Sequence, residues 1–464
     1  MSWGQQSLSQ ATATAEIFAG RAEDPYTLAV RAYVWGYPLV SSAGLRQALT
    51  NPADPFARRP PTSPGAALNH LGLQEQLSDP RTLGLGVNVD TLYALAWLDL
   101  ADTPFVLETP DFGGRYYTFQ MAQADTSAED SFGQRTHGAQ LPPLFIHGPG
   151  YEGTAAEGML EVRSNSRYLL VAGRILVDPA TPGDFGTVHA LQRRIRLRPV
   201  RGEVASSGPP AQRPLLDPSR GIDPALSFLE QLGNLLRDFD TTQPSEIELV
   251  RSLARIGLTP RAGFDPGALR AEATGELARG LRDAAAIVRA KSLNLGVNVN
   301  GWTINYQGPR FGTDWLLRAG VVLDQRNVTV PEEALYPLGR VDSDGAALDG
   351  ANAYRIHFAP GQLPPVGGFW SITIYDNAGR LVANPIDRYA IGDRTPGLLS
   401  NRDGSLDILI QDTRPPSGPS NWLPAPAGRF YLMLRLYIPA PQILDGTWKP
   451  PAIGRDSRDE NGAA

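Results

Sequence analysis

The sequence predicts a mainly β protein with helices, an α+β chain in which two β-sandwich or jelly-roll-like modules are joined by a helical bridge. Three observations carry that reading. The segment Leu83 to Asp90, LGLGVNVD, returns as Leu293 to Asn300, LNLGVNVN, with only Gly84 and Asp90 changed. The 48 Gly and 41 Pro are scattered between short apolar runs, which marks many strand connections rather than disorder. And 464 residues are too many for one ordinary core, so two large modules are expected.

On this reading residues 1–82 are N-terminal helices and a long loop packed on the first module. Residues 83–205 form the N-terminal β module, 206–292 a linker and helical bridge, and 293–464 the C-terminal β module. Two fainter echoes add to the duplication. Gly114-Arg115-Tyr116-Tyr117-Thr118-Phe119 resembles Gly368-Phe369-Trp370-Ser371-Ile372-Thr373, and Arg167-Tyr168-Leu169-Leu170 resembles Arg429-Phe430-Tyr431-Leu432. The long echo alternates apolar and small or polar residues as a half-buried strand does. Both copies are therefore expected to lead into equivalent strands, with the bridge helices outside both sheets.

Element by element, Asp24-Pro25 opens a helix as N-cap and first helical residue. Tyr26, Ala29, Val30, Tyr33, Val34 and Tyr37 give it an apolar face, and Gly36-Tyr37-Pro38 is expected to bend or break it. Residues 50–82 read as a long loop. Strands are expected at Thr91 to Leu98, Phe105 to Glu108, Tyr116 to Met121, Leu144 to His147, Leu160 to Arg163 and Tyr168 to Val177, followed by a short helix from Phe185 to Arg194. Ser206 to Asp223 reads as a linker and residues 224–292 as three helices. From Trp302 the strand pattern returns, with hairpin turns at Asp342-Ser343-Asp344-Gly345, Asp376-Asn377-Ala378-Gly379 and Arg402-Asp403-Gly404-Ser405. The first turn resembles the start of a calcium loop but lacks its spaced ligands and terminal Glu.

A net charge of −6 without long runs of either sign offers no footprint for nucleic acid or for a membrane surface. With no cysteine, disulfides, thiolate metal sites and cysteine nucleophiles are excluded. The first residues have no basic start and no sustained apolar core, so a cytoplasmic location is expected. No GxSxG, HExxH or GxxxxGKS/T motif occurs. Gly84-Leu85-Gly86 is only part of a dinucleotide fingerprint without its βαβ unit. His70, His137, His147, His189 and His357 lie far apart and form no metal-ligand pair, so no metal and no cofactor is expected.

The acidic residues carry the catalytic expectation. Asn88, Asp90 and Tyr93 cluster where a strand begins, and Asp125, Glu129, Asp130 and Arg135 share one polar stretch. Two carboxylates converging near Arg and Tyr can be driven to different pKa values, leaving one acid and one base. Short polar residues at strand ends also simply close turns. Five of the eight tryptophans, Trp302, Trp315, Trp370, Trp422 and Trp448, fall in the C-terminal module, where aromatics in a cleft could stack on a flat ligand.

Several longer segments then resemble a known family. Ala32-Tyr33-Val34-Trp35-Gly36-Tyr37-Pro38, Val87-Asn88-Val89-Asp90-Thr91-Leu92-Tyr93 and Gly133-Gln134-Arg135-Thr136 resemble domain of unknown function 1254. Phe369-Trp370-Ser371-Ile372-Thr373-Ile374-Tyr375-Asp376, Asn384-Pro385-Ile386-Asp387-Arg388-Tyr389 and Asn421-Trp422-Leu423-Pro424-Ala425-Pro426 resemble its partner, domain of unknown function 1214. Together they span about residues 25 to 453. The resemblance implies two β-sandwich or barrel-like modules joined by helices, similar to the double jelly roll of peptide N-glycosidases at the level of fold alone. It supplies no catalytic residue. Family members often start with a signal peptide, from which this chain departs.

Two functional expectations follow. The first is a metal-independent hydrolase for a small polar or sugar-like substrate, with Asp90 as the base and Asn88, Tyr93, Asp125 and Arg135 in its cleft. The second is a non-catalytic protein that takes a small-molecule or glycan ligand between Trp302, Tyr306, Tyr389 and Trp422, with Arg388 as polar anchor. Homo-oligomerisation is left open.

Overall fold

The computed structural model describes residues 23–82, 84–201 and 211–456. It is a mixed α and β protein with several sheets. Helix α1 (Pro25–Thr50) starts where Asp24 accepts the Thr27 amide at 3.0 Å. It continues unbroken through Pro38, contrary to the break expected from a proline that cannot donate to the helical ladder. Burial decides the matter: Leu28, Val34, Trp35 and Leu39 sit in one core with other helices, and packing of this kind overrides local propensity.

The first module supplies β1 (Gly72–Leu73), β2 (Thr91–Asp99), β3 (Phe105–Glu108), β4 (Tyr117–Ala122) and β5 (Ser131–Gly133). Then come α2 (Gln134–His137), β6 (Leu144–His147), β7 (Leu160–Arg163), β8 (Tyr168–Leu176), α3 (Asp184–Gln192) and β9 (Arg196–Pro199). The three bridge helices are α4 (Ser227–Leu236), α5 (Pro244–Leu253) and α6 (Ala271–Ser292), with a small hairpin of β10 (Leu258–Thr259) and β11 (Gly263–Phe264) before the last. They pack on α1 in their own apolar core, outside the sheets. Of the expected linker, residues 206–210 lie outside the described residues.

The second module runs β12 (Val297–Val299), β13 (Trp302–Ile304), α7 (Trp315–Asp324), β14 (Ala334–Leu335), β15 (Leu338–Gly339), β16 (Ala353–Phe358) and β17 (Trp370–Asp376). It ends with β18 (Ala390–Gly392), β19 (Leu406–Gln411), β20 (Trp422–Pro424), β21 (Phe430–Tyr437), α8 (Pro441–Leu444) and β22 (Ile453–Asp456). Among the described residues no helix is long and apolar enough to cross a membrane.

Sheet order shows the duplication directly. One sheet of the first module is ordered β1-β2-β8-β4-β5, and one of the second β12-β13-β15-β21-β17-β18 with β14 also on β21. The companion sheets are β7-β6-β3-β9 and β20-β19-β16-β22. In each companion sheet the first pair is parallel and the others antiparallel. Within each module both sheets feed one apolar core.

Cross-strand register fixes which residues correspond. Thr91 faces Leu176 and Leu95 faces Ala172, while Ala334 faces Tyr437 and Leu338 faces Met433. So β14 and β15 together repeat the first part of β2, interrupted at Tyr336-Pro337, where proline has no N–H for the ladder. Thr118 faces Arg174 and Gly133 in the first module; Ser371 faces Arg435 and Gly392 in the second.

This register corrects the expected repeat. The long echo does not mark equivalent strands: residues 84–90 form a loop ahead of β2, Leu83 lies outside the described residues, and Val297–Val299 is edge strand β12. The loop is held by the other module instead of by a sheet. The Gly86 amide donates to the Gly379 carbonyl at 2.9 Å, and the Tyr375 hydroxyl donates to the Val87 carbonyl at 2.6 Å. The two fainter echoes do fall on equivalent strands, β4 with β17 and β8 with β21, but one residue out of register. Inward residues decide it: Tyr117 and Phe119 correspond to Trp370 and Ile372 in the two cores.

Candidate functional site between the modules

Two strands that are apolar over most of their length each carry one arginine. Arg174 in β8 and Arg435 in β21 are 6% and 2% exposed, and the register makes them counterparts. Their tyrosine neighbours correspond as well. Tyr93 faces Arg174 across the β2–β8 ladder, with the guanidinium 5.4 Å from its ring centre, and Tyr336 stands at the matching place beside β21. A cavity of about 60 Å³ between the modules is lined by both arginines, both tyrosines, Asn88 and Tyr437, among others.

The hydrogen bonds of the two arginines differ. Arg174 donates to the Gln120 side-chain carbonyl from both terminal nitrogens at 3.2 Å, and to the Asn327 carbonyl at 3.5 Å. Arg435 donates to the Thr373 hydroxyl at 2.6 Å, the Tyr375 hydroxyl at 2.8 Å and the Gly86 carbonyl at 3.0 Å, while its Nε has no partner. Asp90 is near enough to favour the Arg435 charge but is held by other groups. Neither guanidinium forms an ion pair with a described carboxylate, and the cavity lining contains none. Burial pushes the Tyr437 hydroxyl well above its usual range, so it stays protonated.

The other charges at this interface are paired, in a reciprocal pattern. After β5 the chain reads Gly133-Gln134-Arg135-Thr136, and after the start of the β18 turn it reads Gly392-Asp393-Arg394-Thr395. In each, the threonine hydroxyl accepts the glycine amide, at 3.0 and 2.9 Å. Arg135 reaches across to Glu333 at 3.0 Å, just ahead of β14, and Arg394 reaches across to Asp90 at 2.8 Å, just ahead of β2. Each acid has a further hydroxyl donor at 2.7 Å, Tyr116 on Glu333 and Ser371 on Asp90. Burial pushes the Glu333 carboxyl above its ordinary value, with Tyr116 and Arg135 opposing.

Of the expected catalytic set, Asn88 and Tyr93 line the cavity. The Asn88 amide donates to the Tyr437 hydroxyl at 2.7 Å, and its carbonyl accepts the Asp90 amide at 2.7 Å. Asp90 and Arg135 are the cross-module pairs just described. Asp125 belongs elsewhere: it pairs with buried Arg318 in a cleft of about 500 Å³ lined also by Asp240, Gln243 and Glu246. The two carboxylates share no partner.

The expected aromatic platform is corrected. Trp302 and Trp422 are 0% and 2% exposed, and Trp302 packs in the second module's apolar core. Their indole N–H groups donate to the Pro451 and Gln411 carbonyls at 2.7 and 2.8 Å. Such residues satisfy both the apolar body and the polar tip internally, leaving no face for a ligand. Arg388 donates to the Ser420 and Trp422 carbonyls at 3.1 and 2.9 Å, fastening that loop. The Tyr389 hydroxyl bonds Asp387 at 3.1 Å, and Tyr306 lines a separate surface recess with Asn298, Asn300 and Lys449. Among the described residues no three His, Asp or Glu side chains gather as a metal would require.

Known sequences and structures place the protein. The family described as protein of unknown function DUF1254 matches residues 68–199, and that described as protein of unknown function DUF1214 matches residues 333–441. The chain belongs to the two-domain DUF1254–DUF1214 family. Its fold is similar to the crystal structure of the VPA0106 protein from Vibrio parahaemolyticus, 22% identical, covering 93% of this chain and 100% of that one with a TM-score of 0.68. An uncharacterised protein from Burkholderia cenocepacia is 12% identical, with coverage of 97% and 94% and a TM-score of 0.41. No curated protein matches. The DUF1254 match supplies Asp90, Tyr93, Arg135 and Arg174; the DUF1214 match begins at Glu333 and supplies Tyr336, Arg394, Arg435 and Tyr437.

Arg174, Arg435, Glu333, Arg394, Tyr336 and Tyr437 were not among the residues the sequence singled out. Two signals in it pointed there. A lone arginine inside an apolar strand, as in Tyr168-Leu169-Leu170-Val171-Ala172-Gly173-Arg174 or Phe430-Tyr431-Leu432-Met433-Leu434-Arg435, is rarely buried without a reason. The second Gly-x-Arg-Thr repeats the first.

Proposed function

We propose that the protein binds a small anion in the cavity between its modules, each module being a two-sheet sandwich of the jelly-roll kind. The observation that carries the reading is the pair of buried guanidiniums that face a cavity without a carboxylate. A buried charge normally has a partner, because leaving it alone costs several kcal/mol. An anionic ligand supplies that partner here, with Tyr93, Tyr336 and Tyr437 lining the same cavity. Binding is favoured over hydrolysis because Asp90, the expected base, already accepts from Arg394 and Ser371.

Thermal unfolding in the presence of small carboxylates and inorganic oxyanions tests this. A ligand of the native state raises the melting temperature with concentration. The expected result is a saturable rise that Arg174→Met reduces. A panel that leaves the melting temperature where chloride leaves it would overturn the proposal.

A further inference from the structure

We infer that the ligand is a compact dianion that bridges Arg174 and Arg435, one guanidinium from each module. The inference rests on the anion-binding reading and adds its charge, its size and its dependence on both modules. Three observations lead to it.

The first is charge. Asp90 pairs with Arg394 and Glu333 with Arg135, and the same two arginines also pair with Asp393 and Asp130, so each of these acids is held by an arginine other than Arg174 or Arg435. No described carboxylate pairs with either cavity guanidinium or lines the cavity, so a ligand that meets each of them with an anionic group carries two negative charges. The second is placement. Arg174 and Arg435 occupy corresponding positions on β8 and β21, flanked by the corresponding Tyr93 and Tyr336. A ligand with oxygens at both ends, or on all sides, meets an equivalent group from each module. The third is size. A cavity of about 60 Å³ holds only a few heavy atoms, which fits oxalate, malonate or hydrogen phosphate and excludes a sugar or an extended acid. Guanidinium forks suit such oxyanions, since two parallel N–H groups can meet two oxygens. Arg435 Nε, buried and without a partner, is one donor still available.

Isothermal titration of the full-length protein separates this inference from the reading beneath it. The probes are oxalate, malonate and hydrogen phosphate as dianions, formate and acetate as monoanions, and succinate and citrate as larger acids. At least one compact dianion is expected to bind about tenfold or more tightly than either monoanion, the worth of one further charge-assisted contact. Arg174→Met should remove that preference, leaving dianion and monoanion within about threefold of each other as one guanidinium remains. Arg435 also ties the Gly86 loop, so Arg435→Lys, which keeps the charge, serves as the second variant and should weaken the dianion by about tenfold. Monoanions binding as tightly as dianions in the parent protein would overturn the dianion inference while leaving anion binding in place. No binding of any probe would overturn both. Tighter binding of citrate or succinate than of the compact dianions would overturn the size argument and, with it, the bridge.

Discussion

Arg174 and Arg435 are counterparts by position, yet they should respond differently to substitution. Arg174 has long hydrogen bonds to one side-chain carbonyl and one backbone carbonyl, so Arg174→Met gives up little and removes an uncompensated charge. Its ligand-free melting temperature should equal or exceed that of the parent, since apolar replacement of a buried charge is often neutral or stabilising. Arg435→Met, in contrast, strands the Gly86 carbonyl and two hydroxyls and should cost about 2–4 kcal/mol in denaturant unfolding. Equal losses in the two variants would contradict the difference in their surroundings. Asp184 gives a pH signature at the same scale. Donors from Arg115 hold its carboxyl below the ordinary 3.8, against the opposing effect of burial. A lowered folded value contributes stability that is present above 3.8 and fades as pH falls through the folded value. Asp184→Asn should therefore melt below the parent at neutral pH, with the gap closing in melts taken below pH 3.8.

The elements show why the strands could be read from the sequence and the site could not. Leu144 to His147 and Leu160 to Arg163 were expected as strands and are strands with the same limits. Apolar runs between turn residues report local conformation, and conformation here is local. Pairing is not. Residues 87–89 and 297–299 share the letters Val-Asn-Val, but the first copy finds its hydrogen-bond partners in another module while the second finds them in β13. Nothing within eight residues can distinguish those outcomes. The stricter markers of the repeat are single glycines. A Cβ on Gly133 would lie 2.3 Å from the Tyr117 carbonyl oxygen, and one on Gly392 2.2 Å from that of Trp370. Neither backbone oxygen can withdraw without breaking its sheet. Gly133→Ala and Gly392→Ala should each lose about 1–3 kcal/mol, measured by chemical denaturation, and should lose similar amounts. A large loss at one position and none at the other would mean that the two edges are not built alike.

At the scale of the whole molecule, the reciprocal pairs tie each module to the other. Breaking one by removing its arginine leaves a buried acid: Glu333 is fully buried, and Asp90 is 6% exposed. Arg135→Met or Arg394→Met should each cost about 3–5 kcal/mol, the usual result of stranding one partner of a buried pair. Calorimetry of the parent should show a single transition with matching calorimetric and van't Hoff enthalpies. The double variant Arg135→Met/Arg394→Met should show two, one per module. A single sharp transition in the double variant would place the coupling in the helical layer of α1, α4, α5 and α6 instead. The sequence announced two modules from a repeat that turned out not to be the structural one. The strands that do correspond by register are β4 with β17 and β8 with β21, each legible only as a faint similarity. Glu333 was invisible to the same reading because Glu333-Ala334-Leu335-Tyr336 matches Asp90-Thr91-Leu92-Tyr93 only in an acid, a leucine and a tyrosine, a run too short to stand out in a chain of this length.

The pairing of Arg135 with Glu333 and of Arg394 with Asp90 is the same contact made twice, in opposite directions. That is the signature of an isologous interface, where two identical subunits present one self-complementary patch to each other. In such a dimer a single mutation changes both copies at once, so neither contact can be altered alone. Carried on one polypeptide, the two copies are encoded separately and that constraint is gone. The result is visible in the chemistry that completes each pair. On one side a long acid meets a tyrosine hydroxyl, Glu333 with Tyr116; on the other a short acid meets a serine, Asp90 with Ser371. Each contact is closed at 2.7 Å by a different combination of reach. The same release applies to the cavity, whose two arginines can keep matching charges while the residues around them diverge, so that a symmetric pocket can come to grip an unsymmetric ligand in one orientation only.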